Sequence, residues 1–343
     1  MKQLTLAVDA MGGDGGCAVT VPAVARLLAT HGDVRICLVG LPEVMIPALA
    51  QHGLTGHERL ELLEAAQVVK GSDSVAVALR QKKQSSMRLA INQVKEGRAQ
   101  AVVSAGNTGA LMAIARFVLK TLPGIERPAI CTAIPTRDGV CHMLDLGANV
   151  EVEAAHLVQF ALMGKALAEV KGVTQPRIAL LNIGEEDIKG NDTIKQAATQ
   201  LAALDINYVG FVEGDGVFRG EADVVVCDGF VGNVALKTME GVARLVADFL
   251  RQAANKSLLH KLSALCALPL LKALKGRLNP DAYNGASLVG LNGIVVKSHG
   301  GTSVEGFANA LEVALREARR DLPALIAEAM AADAVNTDSS NLE

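Results

Sequence analysis

Runs of Val, Ile, Leu and Ala recur along this chain. Each stops at Gly, Asn, Ser or Asp, and a helical pattern usually follows. Leu4 to Asp9 runs into Gly12-Gly13-Asp14-Gly15-Gly16, and Ala101 to Ser104 into Gly106-Asn107-Thr108-Gly109. Leu144-Asp145-Leu146 meets Gly147-Ala148-Asn149, Leu180 to Ile183 meets Gly184 to Asp192, and Val224 to Cys227 meets Asp228-Gly229-Phe230-Val231-Gly232-Asn233. The pattern predicts strands over 3–9, 34–39, 59–64, 100–104, 129–134, 140–146, 177–183, 206–212, 222–227 and 293–297. It predicts helices near 18–31, 43–52, 74–96, 108–121, 151–171, 192–203, 232–256, 303–319 and 323–332. Such alternation argues for an α/β fold with a mostly parallel sheet. Asp138-Gly139 between two strand-like runs signals a hairpin, so the sheet is mixed. Neither a repeat nor a Gly/Ser linker interrupts the pattern. Residues 1–332 read as one α/β catalytic domain, with a helical arm about 250–285 and a flexible polar tail over 333–343.

Continuous apolar strands suit a buried parallel sheet, and ligands bind beyond the carboxyl ends of such strands. Small residues at those exits expose backbone N–H groups and helix N-termini, which suit phosphate. The reading is therefore an enzyme that handles a phosphate group.

Composition narrows the partners. The 343 residues are 50% hydrophobic but only 3% aromatic, with no Trp, which argues against base stacking on an aromatic platform. A net charge of −3 leaves no global basic footprint, so nucleic acid is not an expected partner. The cysteines at 17, 37, 131, 141, 227 and 266 form no C-x-x-C pair and read as buried reduced thiols of a cytosolic protein. Strand-end Asp residues lack the tight spacing of a metal site. Neither metal nor cofactor is expected. Met1-Lys2-Gln3 leads directly into a strand, so no signal peptide is read there, and no 18-residue uncharged apolar stretch suggests a membrane span.

Each candidate residue carries a chemical and a structural reading. Ser104, Gly106, Asn107 and Thr108 start a helix; they cap it, cradle an anion, or do both. Gly13-Asp14-Gly15-Gly16-Cys17-Ala18 has dinucleotide-motif spacing, but the next strand ends without the ribose-binding acid, so NAD is disfavoured. Asp9, Gly12 and Gly13 remain candidates there. Lys189 is a cation for phosphate or for a developing oxyanion, or one charge on a solvated loop whose Asn191 or Asp192 caps a helix. Asn233 donates to an oxyanion or caps 234–256. Asp145 and Asn149 mark another strand exit. His299 is a possible acid or base, though a lone His beside Gly is more often structural. His142, inside an apolar strand, reads as a satisfied core histidine. Arg80, Lys82, Lys83 and Arg88 form a basic run that either meets an acidic partner or faces solvent.

The 258–278 stretch carries Lys261, Lys272, Lys275 and Arg277 and no acid. Leu258, Leu262 and Leu265 fit one helical stripe, Leu270, Leu271 and Leu274 another, and Pro269 breaks the helix between them. A basic amphipathic pair of this kind lies in a membrane interface or packs on the core or on a partner subunit.

Together these segments resemble the bacterial acyl-carrier-protein:phosphate acyltransferases of phospholipid synthesis. The matching pieces are Val8 to Asp14, Lys82 to Met87, Ser104 to Ala110, Leu144 to Asn149, Asn182 to Asn191, Cys227 to Asn233 and Gly290 to Gly300. The resemblance implies a dimeric three-layer α/β/α sandwich, similar to phosphotransacetylase and the isocitrate/isopropylmalate dehydrogenases. It implies transfer of a long acyl chain from acyl carrier protein to inorganic phosphate, with the acyl phosphate passing to a membrane-bound glycerol-3-phosphate acyltransferase. It makes Lys189 and Asn233 the catalytic candidates. It also turns the 258–278 stretch into an arm for an anionic membrane surface, on an otherwise cytoplasmic homodimer. Phosphate is itself the nucleophile, so the chemistry needs positioning and oxyanion stabilisation but no Ser-His-Asp or Cys-His set. The rival readings are a short-chain phosphate acetyltransferase acting on acyl-CoA, an NAD-dependent decarboxylating dehydrogenase, and a non-enzymatic phospho-ligand or membrane scaffold protein.

Overall fold

The alternation read from the sequence becomes a single mixed sheet in the computed structural model, which describes residues 3–270 and 279–340. The strands are β1 (Leu4–Asp9), β2 (Val34–Gly40), β3 (Leu60–Glu64), β4 (Ala101–Ser104), β5 (Ala129–Pro135), β6 (Val140–Leu144), β7 (Ile178–Leu181), β8 (Tyr208–Val212), β9 (Val224–Val226), β10 (Ala286–Val289) and β11 (Ile294–Lys297). The helices are α1 (Cys17–Thr30), α2 (Pro42–Gln51), α3 (Val75–Arg80), α4 (Ser86–Lys95), α5 (Thr108–Leu119), α6 (Ala154–Val170), α7 (Asp192–Ala202), α8 (Gly214–Arg219), α9 (Gly229–Ala254) and α10 (Leu258–Cys266). Two more follow, α11 (Val304–Arg320) and α12 (Leu322–Ser340).

The sheet order is β3-β2-β1-β4-β11-β10-β5-β6-β9-β7-β8. Among the described strands pairing is antiparallel at β11/β10, β10/β5 and β5/β6, and parallel elsewhere. It follows that β1–β5 and β11 run one way while β6–β10 run the other. The expected Asp138-Gly139 hairpin is present, with Pro135 opposite Val140.

Helices cover both faces, giving three α/β/α layers. α1, α2 and α11 pack on one apolar cluster with β1, β2, β4 and β11; Phe307 and Leu311 are fully buried there. α6, α7 and α12 enclose Phe160, Ala161 and Val224 against the other half. The opposite layer holds α4, α5 and the first turns of α9 over Val102, Met143 and Val225. Strands such as β4 and β9 are buried along their whole length, and each buried Val or Leu contributes roughly 1.5–3 kcal/mol.

Several predicted elements differ from those observed. The single helix expected over 74–96 is two helices. Lys82 turns inward to Asp73 and the Val68 carbonyl, and Ser85 caps a new helix by accepting from the Arg88 amide. Strand β10 and helix α8 went unread. α9 begins at Gly229, where Asp228 accepts from the Val231 amide, so Asn233 is not a cap. The break expected at Pro269 is found slightly earlier, where α10 ends at Cys266. The last helix continues to Ser340, past Asp333 where a flexible tail was expected. His142 is buried as expected, but neither ring nitrogen has a partner, so it is not satisfied.

Candidate active site

The two strand directions divide the predicted site residues between opposite edges of the sheet. At the first edge end β1, β4 and β11. Ser104 is fully buried; its hydroxyl donates to Asp9 Oδ2 (2.6 Å) and accepts from the Gly106 amide (3.1 Å). Burial pushes the Asp9 carboxyl above its ordinary range, against hydrogen bonds from Ser104, Ser86 and the Met11 and Gly12 amides. Gly12 packs so closely that a Cβ there would lie 2.7 Å from the Gly106 nitrogen. Only glycine allows that contact between the two loops. Gly13 lies beside the carbonyl of Gly300, which also accepts from the Asp14 amide (2.9 Å). Asn107 caps α5, accepting from the Ala110 amide (3.0 Å), and its Nδ2 donates to the Gly71 carbonyl (2.8 Å). Each heavy atom of its carboxamide therefore has a protein partner. Thr108 and Gly109 start the helix, where amides have no carbonyl partner in the preceding turn.

Sequence reasoning missed a cation at this edge. Lys297, the last residue of β11 and opposite Ser104 in register, is buried. Its ammonium donates to the carbonyls of Ala105 (3.3 Å) and Ser298. Burial lowers its pKa to about 8, while Asp9 pulls the other way. Its only sequence signal was a lone Lys closing an apolar run just before Ser298-His299-Gly300. His299 is exposed, with its amide bound to Asn284 Oδ1 (2.9 Å) and its Nδ1 accepting from the Gly301 amide (3.1 Å).

At the second edge end β6, β9 and β7. Asp145 is fully buried and accepts from the amides of Ile130, Gly147, Ala148 and Asn149 at 2.7–3.2 Å, and from Asn149 Nδ2 at 2.9 Å. Burial raises its pKa and these bonds oppose the rise. Asn149 spends its second Nδ2 donor on the Pro128 carbonyl (2.8 Å). Asp145 and Asn149 thus shape the 145–149 loop. That loop presents Gly147 to Asn233, whose carboxamide carbon would lie 3.5 Å from a Cβ on Gly147. Lys189 is exposed on the loop after β7, with its amide bonded to the Glu186 carbonyl (2.9 Å). Asn191 caps α7 by accepting from the Ile194 amide (2.9 Å). Beneath this loop Asn182 is buried with both carboxamide atoms unpartnered.

A cavity of about 840 Å³ runs beside α5. Its walls are Val75, Leu79, Met112, Ile130 and Leu146; Thr108 and Gly109 lie on it, and Gly147, Ala148 and Asn233 close it opposite. Arg116, Phe117 and Lys120 belong to the same lining. The structure therefore brings Thr108 and Asn233 to one groove, while Ser104, Asp9, Gly106 and Lys189 are not on its lining. Among the described residues no Ser, Cys or His side chain lines it.

The chain matches, over residues 4–325, the family described as fatty acid synthesis protein. It is 67% identical over 332 residues to the phosphate acyltransferase of Alcanivorax borkumensis, covering 96% of this chain and 98% of that protein. The chain belongs to the phosphate acyltransferase family. Its sheet and layers also match solved structures at much lower identity. A phosphotransacetylase from Streptococcus pyogenes superposes with a TM-score of 0.64 at 16% identity, covering 93% of this chain and 94% of that one. A 4-hydroxythreonine-4-phosphate dehydrogenase from Klebsiella pneumoniae gives 0.53 at 14%, covering 93% and 98%. These two likenesses speak for the fold alone, an α/β architecture shared by acyltransferases and dehydrogenases. Family membership makes this chain an acyltransferase enzyme.

Proposed function

We propose that this chain moves a long-chain fatty acyl group from the thioester of acyl carrier protein to inorganic phosphate, giving an acyl phosphate for phospholipid synthesis. The observation that carries the reading is the apolar groove along α5, which passes helix-start amides and the Asn233 carboxamide and is lined by no described Ser, Cys or His. A phosphate oxygen attacks the thioester carbonyl carbon, the C–S bond breaks, and the thiolate leaves. That sequence asks the protein for positioning and for donors to the transient oxyanion. Asn233 is assigned the oxyanion. Lys189 is assigned the countercharge of phosphate, brought in by its loop, and the α5 start with Thr108 completes the anion cradle. Asp9, Gly12, Gly13, Ser104 and Gly106 hold that start in place.

The partners follow from the chemistry. Carrier protein is acidic, and basic surface near α4 and α5 suits it. The acyl phosphate goes to a membrane-bound glycerol-3-phosphate acyltransferase. Among the described residues no helix is long and apolar enough to cross a membrane. Leu258, Leu265 and Leu270 on the arm are 85%, 61% and 72% exposed, which supports peripheral contact of a cytoplasmic enzyme with an anionic membrane. The side chain of Leu262, and Leu271, Lys272, Leu274 and Lys275 entirely, lie outside the described residues. An unpartnered stripe of Val242, Val246 and Phe249 on α9 supports a homodimer.

Mixing enzyme, acyl carrier thioester and phosphate with hydroxylamine tests the reading. A hydroxamate that forms only with phosphate present supports it. Hydroxamate at equal rate without phosphate sinks it. Faster turnover with acetyl-CoA than with the long-chain carrier thioester transfers the assignment to a short-chain acetyltransferase.

A further inference from the structure

Phe117 is an unusual residue to find at the rim of a groove. It is 58% exposed in a chain with few aromatics, and it sits between two cations. The Arg88 guanidinium and the Lys120 ammonium each lie over its ring, 5.1 Å from the centroid. Arg116 precedes it on the same helix and lines the groove with it. Among the described residues none of these three cations is ion-paired with a carboxylate. Lys82, only six positions before Arg88, is paired with Asp73. Burial alone lowers the Arg88 pKa, with no acid opposing it. The ring holds the two cations by their attraction to its face, and their repulsion is left for a ligand to relieve.

We propose that Arg88, Arg116 and Lys120, gathered round Phe117, form a binding site for the phosphodiester of a 4′-phosphopantetheine arm. The inference rests on the proposed function and specifies how its donor is read. Such an arm has one anion at its outer end and a long uncharged body that carries the thioester. The groove holds the matching chemistry, since Arg116 and Lys120, apolar side chains and the Asn233 carboxamide all line it. Guanidinium groups bind phosphate oxygens through paired N–H donors. A phosphodiester keeps its charge at any working pH, so its capture depends on the three cations alone. The commitment is to the prosthetic arm. Carboxylates on the carrier's own surface are the competing occupant.

Calorimetry with the methyl phosphodiester of 4′-phosphopantetheine and with pantetheine separates the possibilities, on the full chain and on Arg88→Gln, Arg116→Gln and Lys120→Gln. The wild type should prefer the phosphorylated arm. Each substitution should cut the ratio of the two affinities about tenfold, the scale of one charged hydrogen bond. Circular dichroism of each variant checks that the fold persists. Equal binding of both arms by the wild type overturns the proposal. So does a ratio that the substitutions leave intact while binding of whole carrier protein weakens, because the cations then face the carrier's surface. A phosphate-reading site in a protein that never releases thiol to phosphate would leave this inference standing and remove the proposed reaction.

Discussion

Both ring nitrogens of His142 are buried without a hydrogen-bond partner. Burial, with Lys171 and Arg316 nearby, lowers the ring's pKa to about 3, and Asp223 opposes only in part. Between pH 6.5 and 3 the unfolded chain binds a proton that the folded chain refuses, so this residue costs stability as pH falls through that window. Glu317, buried and raised to about 7, contributes with the opposite slope. The informative quantity is therefore the difference between wild type and His142→Leu. The variant should be more stable by about 1–3 kcal/mol at pH 7, with the gap widening at pH 4.5 in urea unfolding. A gap that stays constant with pH would refute the assignment. Lys189, by contrast, is exposed, and Lys189→Ala should leave unfolding unchanged while lowering turnover about 100-fold or more. Undiminished turnover removes Lys189 from the reaction. The sequence marked Ser104 and Asn107 as ligands because their type and place suit an anion. It could not show that Asp9 and Gly71, from distant parts of the chain, also hold their polar atoms.

At the scale of elements, strand exits were legible because an apolar run that meets Gly or Asn is a local signal. Strand direction was not. It is set by the β5/β6 hairpin together with β10, whose four residues between Gly285 and Gly290 are too short to stand out from a turn-rich stretch. Missing β10 hid the fact that the exits at Ser104 and at Asp145 face opposite edges. The split of 74–96 was hidden because its apolar period continues across the break. The start of α9 depends on Gly232, where a Cβ would collide with the Asp145 carbonyl. Gly232→Ala should cost about 2–4 kcal/mol. Gly241 lies on the same helix with nothing within 4 Å of a built Cβ, and Gly241→Ala should gain up to about 1 kcal/mol. Chemical denaturation of the two variants checks the pair; equal effects would contradict the placement of α9 against the 145–149 loop.

At the scale of the whole molecule, the apolar stripe of α9 starts in the core at Ala235 and Met239 and continues outward as Val242, Val246 and Phe249, 54%, 43% and 59% exposed. A stripe that leaves the core at helical spacing and stays apolar suits a partner helix. Val246→Glu with Phe249→Glu should shift the protein toward monomer in sedimentation velocity. An unchanged distribution would assign the stripe to another surface. The proposed reaction is one transfer, in which phosphate captures a fatty acyl group with no covalent enzyme intermediate. The most direct test supplies oxygen-18-labelled phosphate with the acyl carrier thioester and weighs the product by mass spectrometry. The account predicts an acyl phosphate that retains every labelled oxygen, formed as thiol is released. Free fatty acid released at the same rate without phosphate would contradict it.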